Sequence, residues 1–121
     1  MPLQTIGASP YENVVAGDFP RVTESAVIIT GQNLTAGTVV GKITASGKLK
    51  VVNSASVDGS QAPFGVLASA TDATSADKTA TVYLTGEFNI NKLVFGGADT
   101  FATHKVALRD LSIFGKTSVV L

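Results

Sequence analysis

The chain has 121 residues, nine basic side chains against nine acidic ones, no cysteine, and charged residues at only 15% of its length. This composition excludes disulfide frameworks and zinc–thiolate sites, and the balanced charge argues against nucleic acid or an anionic membrane as a partner. The length predicts one small domain. Because the charge content is low and 45% of the residues are hydrophobic, we expect part of its surface to be covered by another molecule.

The first twenty residues show no helical or strand periodicity, because prolines and glycines interrupt them at positions 2, 7, 10, 17 and 20. They contain neither a basic segment nor a long apolar run, so we expect no signal peptide and no membrane span. Apolar side chains are nevertheless scattered among them, namely Leu3, Ile6, Tyr11, Val14, Val15 and Phe19. Two interpretations stay open here: a flexible terminus, and an arm that becomes ordered on a partner.

From Val22 onward, short β-branched runs alternate with turn signals about every ten residues. We predict strands over residues 26–29, 38–43, 49–52, 63–67 and 79–88, and the last of these has the clearest alternation. Gly41, Gly65 and Gly86 lie inside these patterns and indicate bulges or tight corners. Many short strands of this kind favour a small barrel or sandwich.

The segments between the predicted strands are interpreted as turns and loops. Gly31-Gln32-Asn33 is expected to stop the first strand, and Asp58-Gly59-Ser60 is a strong turn signal. Asp72 and Asp77 are assigned to a loop rich in Ser, Thr and Ala. Each of these aspartates is interpreted as an ordinary side chain on the protein surface.

Residues 100–111 differ from the rest, because Phe101, Leu108 and Leu111 have near-helical spacing. We predict one short helix there, with Asp99 or Thr100 as its cap. Lys105 and Arg109 form an i,i+4 pair that should point outward. Residues 112–114 and 119–121 are predicted to be closing strands around a turn at Gly115.

The sequence offers little catalytic chemistry. His104 is the only histidine, and it is expected to be solvated or to cap the helix, since no nucleophile elbow lies near it. Gly37 and Gly41 precede Lys42 but lack the spacing and the hydroxyl residue of a phosphate loop. We therefore expect no enzymatic activity, no metal and no cofactor.

The order of the motifs is more informative than any one of them. The series is Ala16-Gly17-Asp18-Phe19-Pro20, Val22-Thr23-Glu24-Ser25, Gly31-Gln32-Asn33-Leu34, Gly37-Thr38-Val39, Gly41-Lys42-Ile43-Thr44, Asp58-Gly59-Ser60-Gln61, Gly65-Val66-Leu67, Val82-Tyr83-Leu84-Thr85-Gly86-Glu87-Phe88-Asn89, Ala107-Leu108-Arg109 and Ile113-Phe114. Over nearly the whole chain, up to Gly115, this series resembles the lambda-type head decoration proteins of tailed bacteriophages.

The resemblance implies a mainly β, small β-clip-like or barrel-like single domain with one short helix and an extended N-terminal arm. It also implies a homotrimer that binds the outer surface of the expanded capsid at three-fold sites, on the virion assembled in the host cytoplasm. Its partner would be the major capsid protein, against which the arm becomes ordered, and no cofactor would be involved. Such a protein would stabilise the shell against the pressure of packed DNA.

We accordingly assign residues 1–20 to a flexible capsid-binding arm and residues 21–121 to a β-rich decoration domain. The candidate capsid-binding residues are Ile6, Tyr11, Val14, Val15, Asp18, Phe19 and Pro20. Two alternatives remain. One is a β-barrel module that recognises sugar or peptide while displayed on a virion, and the other is a nucleotide hydrolase on a β-clip-like fold.

Overall fold

The computed structural model describes residues 20–116. Its strands are β1 (Thr23–Ile28), β2 (Gln32–Leu34), β3 (Val39–Lys42), β4 (Leu49–Val51), β5 (Pro63–Leu67), β6 (Thr71–Ala73), β7 (Lys78–Tyr83), β8 (Gly86–Asn89) and β9 (Ile113–Lys116). A 3-10 turn spans Ile90–Lys92, and the helix α1 spans Phe101–Asp110. The predicted mainly β fold with one short helix is therefore confirmed for this part of the chain.

A closed barrel forms the centre of the molecule, with strands in the order β1-β4-β3-β5-β7. All of its neighbouring strands are antiparallel except β1 and β4, which run parallel. Two small sheets flank the barrel, one made of β2 and β6 and the other of β8 and β9. The expected barrel-like architecture is thus present.

In β3, β5 and the second half of β7 the barrel is buried on both faces, because consecutive residues belong to two different cores. Val40, Leu67 and Val82 pack in one cluster, and their chain neighbours Val39, Val66 and Tyr83 pack in the other. The second cluster also contains Phe88, Leu108 and Ile113, which come from β8, α1 and β9. This two-sided burial explains why these strands are continuous apolar runs in the sequence rather than strict alternations.

The glycines within the strand patterns lie where the chain has no room for a side chain. The register of β3 against β5 shifts between Val40 and Gly41, and a Cβ at Gly41 would lie 2.3 Å from the Ser60 carbonyl oxygen. Gly86 has φ +146° at the junction between the barrel and the second small sheet. The predicted bulge and corner are confirmed at these two positions.

Some predicted boundaries are wrong. The run 79–88 is two strands, β7 in the barrel and β8 in another sheet, because the chain turns at Gly86. Gln32 and Asn33, expected in a turn, begin β2, and Asp72, expected in a loop, lies in β6; these two strands pair with each other. The helix was predicted correctly to within one residue at each end, and 119–121 lie outside the described residues.

Candidate interaction surface at the start of β1

The residues predicted to bind the capsid lie mostly outside the described part of the chain. Of the seven, only Pro20 is described, and it is exposed to solvent. The other six lie in residues 1–19, namely Ile6, Tyr11, Val14, Val15, Asp18 and Phe19. The structure therefore gives the position from which the predicted arm leaves the barrel.

Residues 20–22 are held in place by the bend between β7 and β8. The Thr85 hydroxyl donates a hydrogen bond to the Pro20 carbonyl at 2.7 Å and accepts one from the Val22 N–H at 3.1 Å. The Leu84 N–H donates to the Val22 carbonyl at 2.6 Å, which continues the β1–β7 ladder by one step. We call this group the Pro20–Thr85 contact. It holds residues 20–22 beside the bend between β7 and β8.

A groove lies beside the first half of β1. Its cavity measures about 300 Å³ and is lined by Glu24, Ser25, Ala26, Val27, Lys42, Ser46, Gly47, Lys48, Leu49 and Phe64. The Lys42 ammonium lies 5.1 Å from the centre of the Phe64 ring, which is a cation–π distance. This groove and the Pro20–Thr85 contact lie at the same strand, so they form one candidate interaction surface.

His104 is buried, and the expectation that it is solvated or caps the helix is wrong. It is 4% exposed, and its Nε2 lies 2.7 Å from the Asp99 carboxylate. Its ring stacks on Phe95 with centroids 5.7 Å apart. Thr100, rather than Asp99, is the N-cap of α1, and it forms a capping box with Thr103.

Asp99 lies between Ser54 and His104 and binds both. Its carboxylate accepts hydrogen bonds from the Ser54 N–H at 2.7 Å and the Ser54 hydroxyl at 2.6 Å. These bonds, followed by the one to His104, lower the pKa of Asp99 below its ordinary value. A Ser-His-Asp triad needs the histidine in the middle, as the base toward the serine. Here the carboxylate occupies the middle, so the cluster joins the loop after β4 to the start of α1.

The other aspartates that were weighed are also bound within turns or to lysine. Asp58 accepts hydrogen bonds from the Ser60 N–H at 3.0 Å and the Ser60 hydroxyl at 2.5 Å, and Lys50 lies 2.9 Å away. These contacts hold the pKa of Asp58 far below its ordinary value. Asp77 binds Lys48 at 2.6 Å. Residues 20–116 contain no group of three or more His, Asp or Glu side chains arranged to hold a metal ion.

One further surface lies around α1. Lys105 and Arg109 are exposed, as predicted, and with Phe101 and Phe114 they line a shallow cavity of about 90 Å³. Within residues 20–116, no helix combines the length and apolar character needed to cross a membrane.

The model of the family "bacteriophage lambda head decoration protein D" matches residues 4–115. The chain belongs to this family. No individually curated protein matches it. The match spans both the described barrel and most of the predicted arm, so the resemblance seen in the order of motifs is confirmed.

Membership of this family identifies the general role of the protein. It is a structural component of a phage head that associates with the capsid on the virion, and the family is one of decoration proteins rather than of enzymes. Within the described surface, sequence reasoning missed Thr85 and the groove beside β1. A threonine at a strand end has no special sequence signal, and the groove depends on how two distant strands diverge.

Proposed function

We propose that this protein binds the outside of the expanded capsid as a homotrimer at three-fold positions and stabilises the shell against internal DNA pressure. The major capsid protein is its partner, and residues 1–20 form the binding arm. The observation that carries the proposal is the family match over residues 4–115, which includes most of the arm. A trimer that contacts several capsid subunits binds multivalently, so weak single contacts add up.

The Pro20–Thr85 contact supports the assignment of the arm. It anchors the chain at Pro20 and Val22, so residues before Pro20 start from a fixed point on the barrel. The side chains of Ile6, Tyr11, Val14, Val15 and Phe19 are more apolar than a solvated tail requires. An extended arm can add a strand to an exposed sheet edge of the capsid protein, and those side chains would fill pockets beside it.

The test is to delete residues 2–15 and to measure both the melting temperature and co-sedimentation with expanded shells. If residues 2–15 form only the binding arm, the deleted protein should keep its melting temperature within a few degrees. Its binding should fall by at least about a hundredfold, since each protomer of the trimer loses its arm. Binding at full strength after the deletion would refute the arm.

The oligomeric state is tested separately. Light scattering at micromolar concentration should give three times the mass of one chain, for both the full protein and the deletion variant. A monomer would remove the multivalent basis of the proposal.

A further inference from the structure

The barrel is closed between β1 and β4 by very little pairing. β1 pairs with β7 along its whole length, from Thr23↔Tyr83 to Ile28↔Lys78. Against β4, its register within the described residues consists of Ile28↔Leu49 alone. Residues 23–27 therefore have a strand on one side and the groove on the other.

The backbone groups that face the groove can be assigned from the hydrogen-bond pattern. In an antiparallel pair, every second residue exchanges hydrogen bonds with its partner. The Leu84 N–H donates to the Val22 carbonyl, so the alternation gives Glu24, Ala26 and Ile28 the bonds to β7. The backbone groups of Thr23, Ser25 and Val27 then point toward the groove.

Ile29 follows Thr23, Ser25 and Val27 in this alternation, and its hydrogen bond confirms the direction. The Ile29 N–H donates to the Leu49 carbonyl at 2.9 Å, across the seam to β4. Ser25 has the same orientation but lies before the level of Leu49, at which β4 begins. Within residues 20–116, no hydrogen bond is formed by the backbone of Ser25 on this side. Within the described part of the chain, residues 23–26 are thus an open strand edge, which is a template for pairing with an extended chain.

Of the charged side chains that line the groove, Lys48 alone has an ion-pair partner within residues 20–116. Lys42 lies over the Phe64 ring, and Lys48 forms an ion pair with Asp77 at 2.6 Å. Glu24 also lines the groove and is exposed, and within the described range it forms no ion pair. An occupant with a basic side chain opposite Glu24 would complement this carboxylate.

We propose that this open edge of β1 receives an extended segment of the major capsid protein, with a basic residue opposite Glu24. The inference rests on the proposed function and adds a second contact, on the barrel itself. β1 follows directly on Pro20–Val22, so a capsid surface that binds the residues before Pro20 lies at the open end of this groove. A second copy that paired edge to edge would add another Glu24 to the groove, whereas a basic capsid segment neutralises it.

The charge test compares Glu24→Lys with Asp110→Lys in the full chain. Both variants change the charge by the same amount, but Asp110 is exposed at the end of α1 and does not line the groove. Co-sedimentation with expanded shells should show affinity reduced about tenfold or more for Glu24→Lys and changed less than about twofold for Asp110→Lys. Equal effects would mean that only net charge matters and would overturn the proposal.

The backbone test uses proline, which removes one N–H. Ser25→Pro removes a group that faces the groove, so the melting temperature should stay within a few degrees while binding falls about tenfold. Ala26→Pro is the matched control, because its N–H belongs to the β7 ladder, and this variant should be strongly destabilised. If Ser25→Pro fails to fold, the assigned direction of its N–H is wrong, and the proposal falls with it.

Amide hydrogen exchange on the wild-type protein gives an independent measurement. A peptide covering residues 23–28 should exchange more slowly on the capsid than in the free protein, and unchanged exchange would contradict the docking.

If Glu24→Lys or Ser25→Pro instead changes the mass in solution, the edge is a contact between protomers, and the proposal is overturned. If both variants bind fully while the 2–15 deletion does not bind, the binding role of the arm is supported and the proposed β1 contact is refuted.

Discussion

The Thr85 hydroxyl donates a hydrogen bond to the Pro20 carbonyl, 65 positions earlier in the chain, at 2.7 Å. The same oxygen accepts the Val22 N–H. One side chain in the bend between β7 and β8 therefore binds both ends of the segment 20–22, which precedes β1. Because β1 starts at Thr23, this contact lies directly before the strand that lines the groove.

Thr85→Val should loosen this contact with little change in side-chain volume. The loss of the hydrogen bonds to Pro20 and Val22 is expected to cost about 1 kcal/mol of unfolding free energy, since each makes a modest net contribution. Faster amide exchange at Val22 and weaker capsid binding, by a few fold, should accompany it. Thr79→Val is the control, because Thr79 is exposed on β7. Equal binding loss in both variants would contradict the role of Thr85.

His104→Ala should destabilise the protein without removing its function. The substitution deletes a buried ring, ends its stacking on Phe95 and leaves Asp99 without one partner. We expect a loss of about 1–3 kcal/mol in unfolding free energy. Capsid binding, measured below the lowered melting temperature, should equal that of wild type, because His104 lies outside the candidate surface. Val106→Ala, on the exposed face of α1, provides the control for both measurements.

The stability should fall in acid, in part through Asp99. Its hydrogen bonds to Ser54 and His104 lower its folded-state pKa below the ordinary value of 3.8. A carboxyl group with a depressed pKa stabilises the fold fully above its unfolded-state pKa, and loses this as pH falls through the folded value. Asp99→Asn should therefore be less stable than wild type at neutral pH. Urea unfolding should show that difference shrinking below pH 3.8, and a constant difference would contradict the assignment.

Gly41→Ala should be much more damaging than Gly31→Ala. A Cβ at Gly41 would lie 2.3 Å from the Ser60 carbonyl oxygen and 2.8 Å from that of Ala62, and neither backbone group can move freely. At Gly31, φ is +95° but no atom lies within 4 Å of the added Cβ, so only conformational strain of about 1 kcal/mol applies. Chemical denaturation should give a loss at Gly41 of about 3 kcal/mol or more. Similar losses at both glycines would contradict the bulge.

The strand pattern and the helix could be predicted because they depend on local signals. Apolar runs marked most of the barrel strands, and the spacing of Phe101 and Leu108 marked α1. The division of 79–88 could not be predicted, since residues on both sides of Gly86 are buried, and alternation does not show a change of sheet. β2 and β6 are three residues each, which is too short for a period to appear.

The environment of His104 depends on contacts between distant segments. Ser54 and Asp99 are 45 positions apart, and Phe95 comes from a third segment. A single histidine among polar neighbours on a short helix has no pattern that indicates burial. The open edge of β1 could not be predicted either, because it exists only where β1 extends beyond the start of β4, before the pair Ile28↔Leu49.

The central claim is that this protein decorates the capsid as a trimer. Electron cryomicroscopy of expanded shells mixed with saturating full-length protein tests it most directly. We predict added density on the outer surface at the three-fold positions, with three barrels at each and a connection from the start of β1 to the shell. Shells that show no added density at saturation, or isolated single copies elsewhere on the surface, would contradict the account.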